Sequence, residues 1–220
     1  IKKTKLEAYS RPRQNGVNAI TIREDDQVIQ VRLTTGDSQI IMANKHGRAI
    51  RFHESTVREM GRTATGVRGM TLDETGDDEV IGMICIKDPE KETVMVVSEQ
   101  GYGKRSEIED YRITNRGGKG VKTLNITEKT GNLVAIKSVT DENDLVIINK
   151  SGITLRMKVA DVRIMGRATQ GVRLINLEKR NDEIASVCKV LSETESDSSN
   201  SENIDSASEI NEAEASETTE

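Results

Sequence analysis

Short apolar runs, each closed off by Gly, Asp, Asn or Pro, recur along most of this chain. Residues 28–33 (VIQVRL), 39–43 (QIIMA), 80–86 (VIGMICI), 93–98 (TVMVVS), 133–139 (LVAIKSV) and 144–148 (DLVII) are rich in Val, Ile and Met, the pattern of β-strands. They predict three pairs: 28–33 with 39–43 through the turn Thr34-Thr35-Gly36-Asp37, 80–86 with 93–98 through a charged loop, and 133–139 with 144–148 through residues 140–143. Residues 183–190 are a further strand candidate. Residues 54–60 and 159–165 offer one helical turn each, without the i, i+3, i+4, i+7 period of a helix.

Between these runs lies a stretch that repeats. Gly47, Gly101 and Gly152 are each followed nineteen residues later by Gly66, Gly120 and Gly171. Four residues after each first glycine stands an arginine: Arg51, Arg105, Arg156. After each second glycine, apolar residues sit at +1, +4 and +6 (Val67, Met70, Leu72; Val121, Leu124, Ile126; Val172, Ile175, Leu177), with Arg68, Lys122 and Arg173 at +2. A fourth copy opens the chain, where Gly16 precedes Val17, Ile20 and Ile22 but Asn18 fills +2. A period near 50 residues indicates a propeller or array of small β-units. The expected fold is therefore all-β, about four strands per unit, with repeats near 1–45, 46–98, 99–149 and 150–190. The chain opens inside a repeat whose first glycine is missing, which reads as part of something longer.

Composition divides the chain. Residues 191–220 hold ten acidic side chains and no Lys or Arg, so the first 190 residues carry 32 basic against 27 acidic residues. A basic body with an acidic, Ser-rich tail suggests a polyanion-binding surface with an attached competitor, or simply a solvated surface with a solubilising tail. The tail lacks the apolar mass that ordering requires and is expected to be disordered. With no Trp, one Phe and three Tyr, cores must come from aliphatic residues in several small packets. Cys85 and Cys188 read as buried, reduced hydrophobes of a cytoplasmic protein. No apolar run approaches a membrane span.

Catalytic patterns are not evident. Gly117-Gly118-Lys119-Gly120 lacks the spacing and the following Ser or Thr of a phosphate-binding P-loop. His46 and His53 have no Cys or paired carboxylate at ligand spacing, so no metal is expected, and no Ser–His–Asp set stands out. Tyr9 and Tyr111 align with Val57 and Val162, as packing residues. The repeated basic positions remain. They would form three tiers on a rim: Arg51, Arg105 and Arg156; Arg68, Lys122 and Arg173; and the loop residues Arg62, Arg116, Lys119 and Arg167, with Lys104 beside the first tier. Gly117, Gly118 and Gly120 would let backbone N–H groups approach phosphate. Without interleaved aromatics, contact with a duplex backbone fits better than single-strand stacking. The alternative is that the arginines satisfy strand-edge carbonyls or blunt sheet edges.

The segments 111–126 (YRITNRGGKGVKTLNI), 60–69 (MGRTATGVRG) and 165–174 (MGRATQGVRL) resemble the C-terminal domains of the gyrase A/topoisomerase IV A family, and the likeness covers about residues 1–190. The resemblance implies a β-pinwheel, a six-bladed disc whose blades exchange a strand with their neighbours, of which about four blades are here. It implies that double-stranded DNA bends around the basic rim. It also implies partners, namely gyrase B and the N-terminal part of gyrase A in an A2B2 heterotetramer. ATP, Mg and the cleavage tyrosine would belong to parts outside this chain, and the location would be cytoplasmic, on the chromosome. The family's gyrase box reads Gln-(Arg/Lys)-Arg-Gly-Gly-(Arg/Lys)-Gly. Here Thr114 and Asn115 replace its first two positions while Arg116, Gly117, Gly118, Lys119 and Gly120 match, which leaves topoisomerase IV and a protein-interaction propeller as alternatives to gyrase.

Overall fold

Because the apolar runs are nearly continuous, both faces of each strand have to be covered. In the computed structural model, which describes residues 1–74, 76–177 and 182–192, Gln39–Asn44 and Thr93–Ser98 are covered on both faces, while Thr154–Lys158 and Ile184–Leu191 leave much of theirs in solvent. The strands are β1 (Gln39–Asn44), β2 (Arg48–His53), β3 (Val80–Ile86), β4 (Thr93–Ser98), β5 (Tyr102–Glu107), β6 (Val121–Lys122), β7 (Leu133–Val139), β8 (Asn143–Asn149), β9 (Thr154–Lys158), β10 (Val172–Arg173) and β11 (Ile184–Leu191). They form three antiparallel sheets in the orders β3-β1-β2-β6, β10-β5-β4-β7 and β11-β8-β9. The predicted helical turns are single 3-10 turns, Glu54–Thr56 and Val159–Asp161, matched by a third at Ile108–Asp110.

The expected pairings are corrected. β3 pairs with β1 of its own sheet and not with β4, and β4 lies between β5 and β7. β7 likewise does not pair with β8, which is flanked by β9 and β11. The second and third connections predicted as hairpins are instead steps from one sheet to the next, so the sheets are offset from the repeat boundaries read off the glycines. Residues 28–33 form no strand. Val31 and Leu33 there are 75% and 76% exposed, although Gln30 Oε1 accepts a hydrogen bond from Met83 N at 2.9 Å.

Strand alternation distributes the core into packets, as the aliphatic composition implied. Ile41 and Ala43 of β1 meet Val94 and Val96 of β4 between the first two sheets. Met95 and Val97, on the other face of β4, meet Leu145, Ile147 and Val187 of the third sheet. Ile40 and Met42 face a third packet with Ile50, Phe52 and Val57. Cys85 is half-buried and Cys188 is exposed, contrary to the expectation that both are buried.

The repeated stretch is the element that joins the sheets. After each 3-10 turn the chain leaves its own sheet and crosses the preceding one as an arch: 57–72, 111–126 and 162–177. The second arch runs parallel to β2 at Ile113, where Thr114 N donates to Arg51 O at 2.8 Å, and returns antiparallel as β6, with Val121 opposite Ala49. The third repeats this on β5, through Met165 N to Arg105 O (2.8 Å) and Val172 opposite Gly103. The first does the same on residues 1–3, through Met60 N to Lys3 O and Val67 N to Ile1 O, both 2.9 Å. This is the strand exchange of a β-pinwheel. Tyr111, fully buried, drops from its arch into the packet between the first two sheets, and its hydroxyl lies 2.5 Å from Thr123 Oγ1. The aligned Val57 and Val162 are buried too, so these are packing positions, while Tyr9 is only half-buried.

The second glycine of the repeat is where the descending arch touches the strand it covers. Gly120 has φ +70°, and a Cβ there would stand 2.3 Å from Ala49 O; at Gly171, φ +81°, it would stand 2.6 Å from Gly103 O. A side chain would be strained twice over, by the left-handed backbone and by a neighbouring backbone that cannot yield. The acidic tail beyond residue 192, expected to be disordered, lies outside the described residues. Gly120→Ala is expected to lower the unfolding free energy by about 2–3 kcal/mol, whereas Gly152→Ala, with φ +86° but open space around it, loses about 1 kcal/mol; chemical denaturation of the two variants measures the difference.

Candidate nucleic-acid interface

The first predicted tier is not on the rim. Arg51 is 7% exposed and uses its guanidinium internally, with Nη1 donating to Ile108 O (2.8 Å) and Tyr111 O (3.0 Å) and Nε to Gln39 Oε1 (2.8 Å). Arg105 is also buried, and donates to Val159 O at 3.0 Å, Thr93 Oγ1 at 3.2 Å and Asp141 Oδ1 at 2.6 Å. Lys3 does the same for Glu54 O at 3.0 Å. The shared task is to bring a further donor to the carbonyl that opens the 3-10 turn launching the next arch, an oxygen that already accepts from the turn's own backbone (Tyr111 N to Ile108 O, Val162 N to Val159 O, Val57 N to Glu54 O). Arg156, more exposed, pairs with Asp144 at 2.8 Å. Lys104 is fully buried under the third arch, with Nζ donating to Gly166 O at 2.7 Å and lying 3.3 Å from Ser106 Oγ.

The loop tier is half-buried and acts as staples between arches. Arg116 Nε and Nη1 donate to Thr56 O (2.9 Å) and Arg68 O (3.0 Å) of the arch before it. Arg167 makes the equivalent bonds to Asp110 O (3.0 Å) and Lys122 O (2.8 Å), and Arg62 reaches Asn18 O at 3.0 Å. The glycines of this loop serve packing more than anion approach. Gly117 N donates to Gly69 O at 2.6 Å, and a Cβ at Gly118 would already touch Ile50. Lys119 is exposed and borders a shallow groove of about 280 Å³ with Arg112, Thr114 and Asn115.

What faces solvent is the +2 tier and a set of arginines that the sequence reading missed. Arg68, Lys122 and Arg173 are exposed; Lys122 bonds Asn125 Oδ1 at 3.2 Å, and Arg173 lies over the Tyr102 ring and donates to its hydroxyl at 3.0 Å. Arg58, Arg112 and Arg163 directly follow the buried Val57, Tyr111 and Val162. All three are exposed, and none has a hydrogen-bond or ion-pair partner among the described residues. The sequence signal was present, since the same alignment that paired Tyr111 with Val57 and Val162 puts arginine next in each copy. The innermost strands β3 and β7 pack against one another, and the first two sheets present the arch strands β6 and β10 as their outer edges.

Two clusters assemble from residues distant in sequence. The loop containing Asp73, Asp77 and Asp78 folds back on His46, whose Nδ1 meets Asp73 and whose Nε2 lies 3.3 Å from Asp77. These three could between them hold a metal ion. With carboxylates at both nitrogens, however, the arrangement is that of an imidazolium, and the hydrogen bond to Asp73 raises its pKa. Asp37, His53 and Ser55 also come together, at 2.9 and 2.7 Å, although no such set was expected. His53 Nδ1 already accepts from Ser55 N at 3.2 Å and the Asp37 side chain is 96% exposed, so the contact is a turn cap, open to water.

Burial pushes the Lys104 ammonium down to about 8. The unfolded chain, with an ordinary lysine pKa of about 10.4, binds more protons between these values, so this group makes stability rise with pH across that window. Lys104→Met is expected to remove that slope, read as the pH dependence of the difference in unfolding free energy between the two proteins. Arg51→Met, which takes the side-chain donor from Tyr111 O and leaves Ile108 O with only the turn's own N–H, is expected to cost about 2–4 kcal/mol, whereas Arg112→Ala stays within about 0.5 kcal/mol of the parent in the same denaturation assay.

A family profile described as the DNA gyrase C-terminal domain, β-propeller, matches residues 1–35, 38–87, 92–140 and 143–188, and the last three stretches each hold the strands of one sheet apart from the exchanged β6 and β10, which fall in the following stretch. The A subunit of DNA gyrase from Staphylococcus aureus (strain NCTC 8325 / PS 47) is 47% identical over 202 residues, which is 92% of this chain and 22% of that protein. Its counterpart from strain MRSA252 is 51% identical over 177 residues, 80% of this chain and 20% of that one. The chain thus spans about a fifth of the length of these relatives. Among solved structures, the C-terminal domain of DNA topoisomerase IV superposes with a TM-score of 0.80 at 26% identity, covering 86% of this chain and 58% of that one. A DNA gyrase A C-terminal domain gives 0.72 at 28% identity, covering 81% and 59%. Repeat, strand exchange and matched stretches agree, and the chain belongs to the family of DNA gyrase C-terminal domains.

Proposed function

We propose that this chain binds and bends duplex DNA along the outer edge formed by its arches, as the wrapping part of gyrase A. The observation that carries the reading is the recurrence of solvent-facing cations at fixed places on successive arches: Arg58, Arg112 and Arg163, then Arg68, Lys122 and Arg173. Lys119 adds one more on the second arch. The guanidiniums of Arg58, Arg112 and Arg163, with no hydrogen-bond or ion-pair partner among the described residues, can fork onto phosphate oxygens, and such a row reads backbone and not sequence. Bending 20–30 base pairs around a protein costs of order 1–6 kcal/mol, offset by the additional phosphate pairing along the curve.

In the whole assembly this wrap presents a crossed segment for strand passage, so that ATP hydrolysis drives negative supercoiling. Nucleotide, Mg and the cleavage tyrosine lie in other parts, and the partners are gyrase B and the rest of gyrase A in an A2B2 complex on the bacterial chromosome. The acidic stretch 191–220 competes with DNA for the same edge by charge. A topoisomerase IV role, in which bent DNA serves substrate choice, is favoured by Thr114 and Asn115 at the first two box positions and by the superposition on that enzyme's domain.

Binding to random-sequence duplex is expected to weaken steeply with salt, and Arg58→Ala/Arg112→Ala/Arg163→Ala to reduce the slope of log K against log salt by about 2–3. Ligating nicked plasmid on the protein is expected to leave a positive linking-number shift once the protein is removed. Tight binding without a shift favours the topoisomerase IV role, and no binding at low salt overturns the reading in favour of a protein-docking propeller.

A further inference from the structure

The outer limb of each arch carries a second repeated position, directly after the unpartnered arginine: Glu59, Ile113 and Ile164. Glu59 is polar and pairs with Lys5 at 3.4 Å. Ile113 and Ile164 are 55% and 46% exposed, and they are the large apolar side chains that the arches leave in solvent among the described residues. Isolated exposed aliphatics are ordinary on a surface. An isoleucine at the same site of two successive units, on the edge that also carries the arginines, is a pattern.

The backbone at both sites is fixed. Ile113 bridges Arg51 and Ile164 bridges Arg105, each next to a 2.8 Å hydrogen bond from Thr114 N or Met165 N to that arginine's carbonyl. The bridged arginines are themselves buried and tied to the 3-10 turns, so neither limb can fold its isoleucine back into the core. A β-branched side chain on a pinned extended backbone has little rotamer freedom, which makes it a stiff projection. Alternation along the limb turns arginine and isoleucine to its two sides. Stiff apolar wedges beside arginines are what proteins use to part a base step from the minor groove and kink the duplex.

We propose that Ile113 and Ile164 are wedges that deform bound duplex DNA. Each enters a flexible pyrimidine–purine step from the minor groove, while Arg112 and Arg163 hold the adjoining backbone. The inference rests on the duplex-binding reading above. It divides labour along the edge: the first arch, with Glu59, holds DNA by charge alone, and the second and third also kink it. It further gives the edge a preference for TA and CA steps spaced by one unit, without hydrogen bonds to bases.

The test uses the intact protein and duplexes carrying 2-aminopurine beside TA and CA steps, with end-to-end energy transfer reporting the bend. Parent protein is expected to raise 2-aminopurine fluorescence on binding. Ile113→Ser/Ile164→Ser is expected to keep low-salt affinity within about threefold while losing about half or more of the fluorescence rise and part of the bend, and Arg112→Ala/Arg163→Ala to weaken binding yet keep the rise in the saturated complex. Glu59→Ile is expected to add a further increment. Since all these side chains are exposed, the variants should unfold at the parent's denaturant midpoint. A double isoleucine variant with the parent's fluorescence and bend overturns the proposal, as does a parent protein that binds duplex without any fluorescence rise. A parent that does not bind duplex at all removes the wedge together with the reading beneath it.

Discussion

A chain that leaves one sheet to lie across the next carries its backbone through a place where neither sheet's ladder reaches it. Unpaired amides and carbonyls buried there are costly, and the fold depends on how they are met. This chain meets them from outside the arch. The buried guanidiniums of Arg51 and Arg105 add a donor to the carbonyls Ile108 O and Val159 O of the launching turn, and Arg116 and Arg167 take Thr56 O and Asp110 O at the foot of the neighbouring arch. Gly120 and Gly171 let the descending limb come close enough for β6 and β10 to pair. The sheets stay together because these seams are satisfied, and the packets between them are then filled by ordinary aliphatic packing.

The same solution explains the distribution of charge. A basic repeat looks from composition like a basic surface, but much of its positive charge is structural. Arginine is suited to this, since its five donors in a planar fork can serve several carbonyls at once and its weak hydration lowers the cost of burial. Lysine does the work where a single contact suffices, as Lys104 does at the crest of the third arch, while Ile50 meets the crest of the second by packing alone. The cations left over are those that follow a buried residue in the ascending limb or alternate outward in the descending one.

The period and the strand content were legible because glycines and apolar offsets recur in register, whereas the exchange of strands was implied only by the family resemblance of 111–126 and its counterparts. Pairing was not legible. Residues 80–86 and 93–98 look like a hairpin because they are adjacent, and only the crossing arch, a long-range feature, reveals that they belong to different sheets. The fate of each arginine was also hidden: Arg51 and Arg112 are equally basic in the sequence, and what separates them is whether a carbonyl needing a donor lies within reach. Asp73 and Asp77 meet His46 only because the loop after the first arch folds back, which no spacing rule could show.

Strand exchange also changes what it means to cut the chain. The connection at residues 87–92 carries the chain from the first sheet to the second, yet 111–126, which follows β5 of the second, is laced back into the first through β6, Tyr111 and Arg116. A break in that loop would leave two pieces clasped by an interior packet and a ladder, closer to a hook and eye than to two beads on a string. Continuity of the disc is thus written twice, once in peptide bonds and once in the overlap of neighbours, and a single nick erases only one copy.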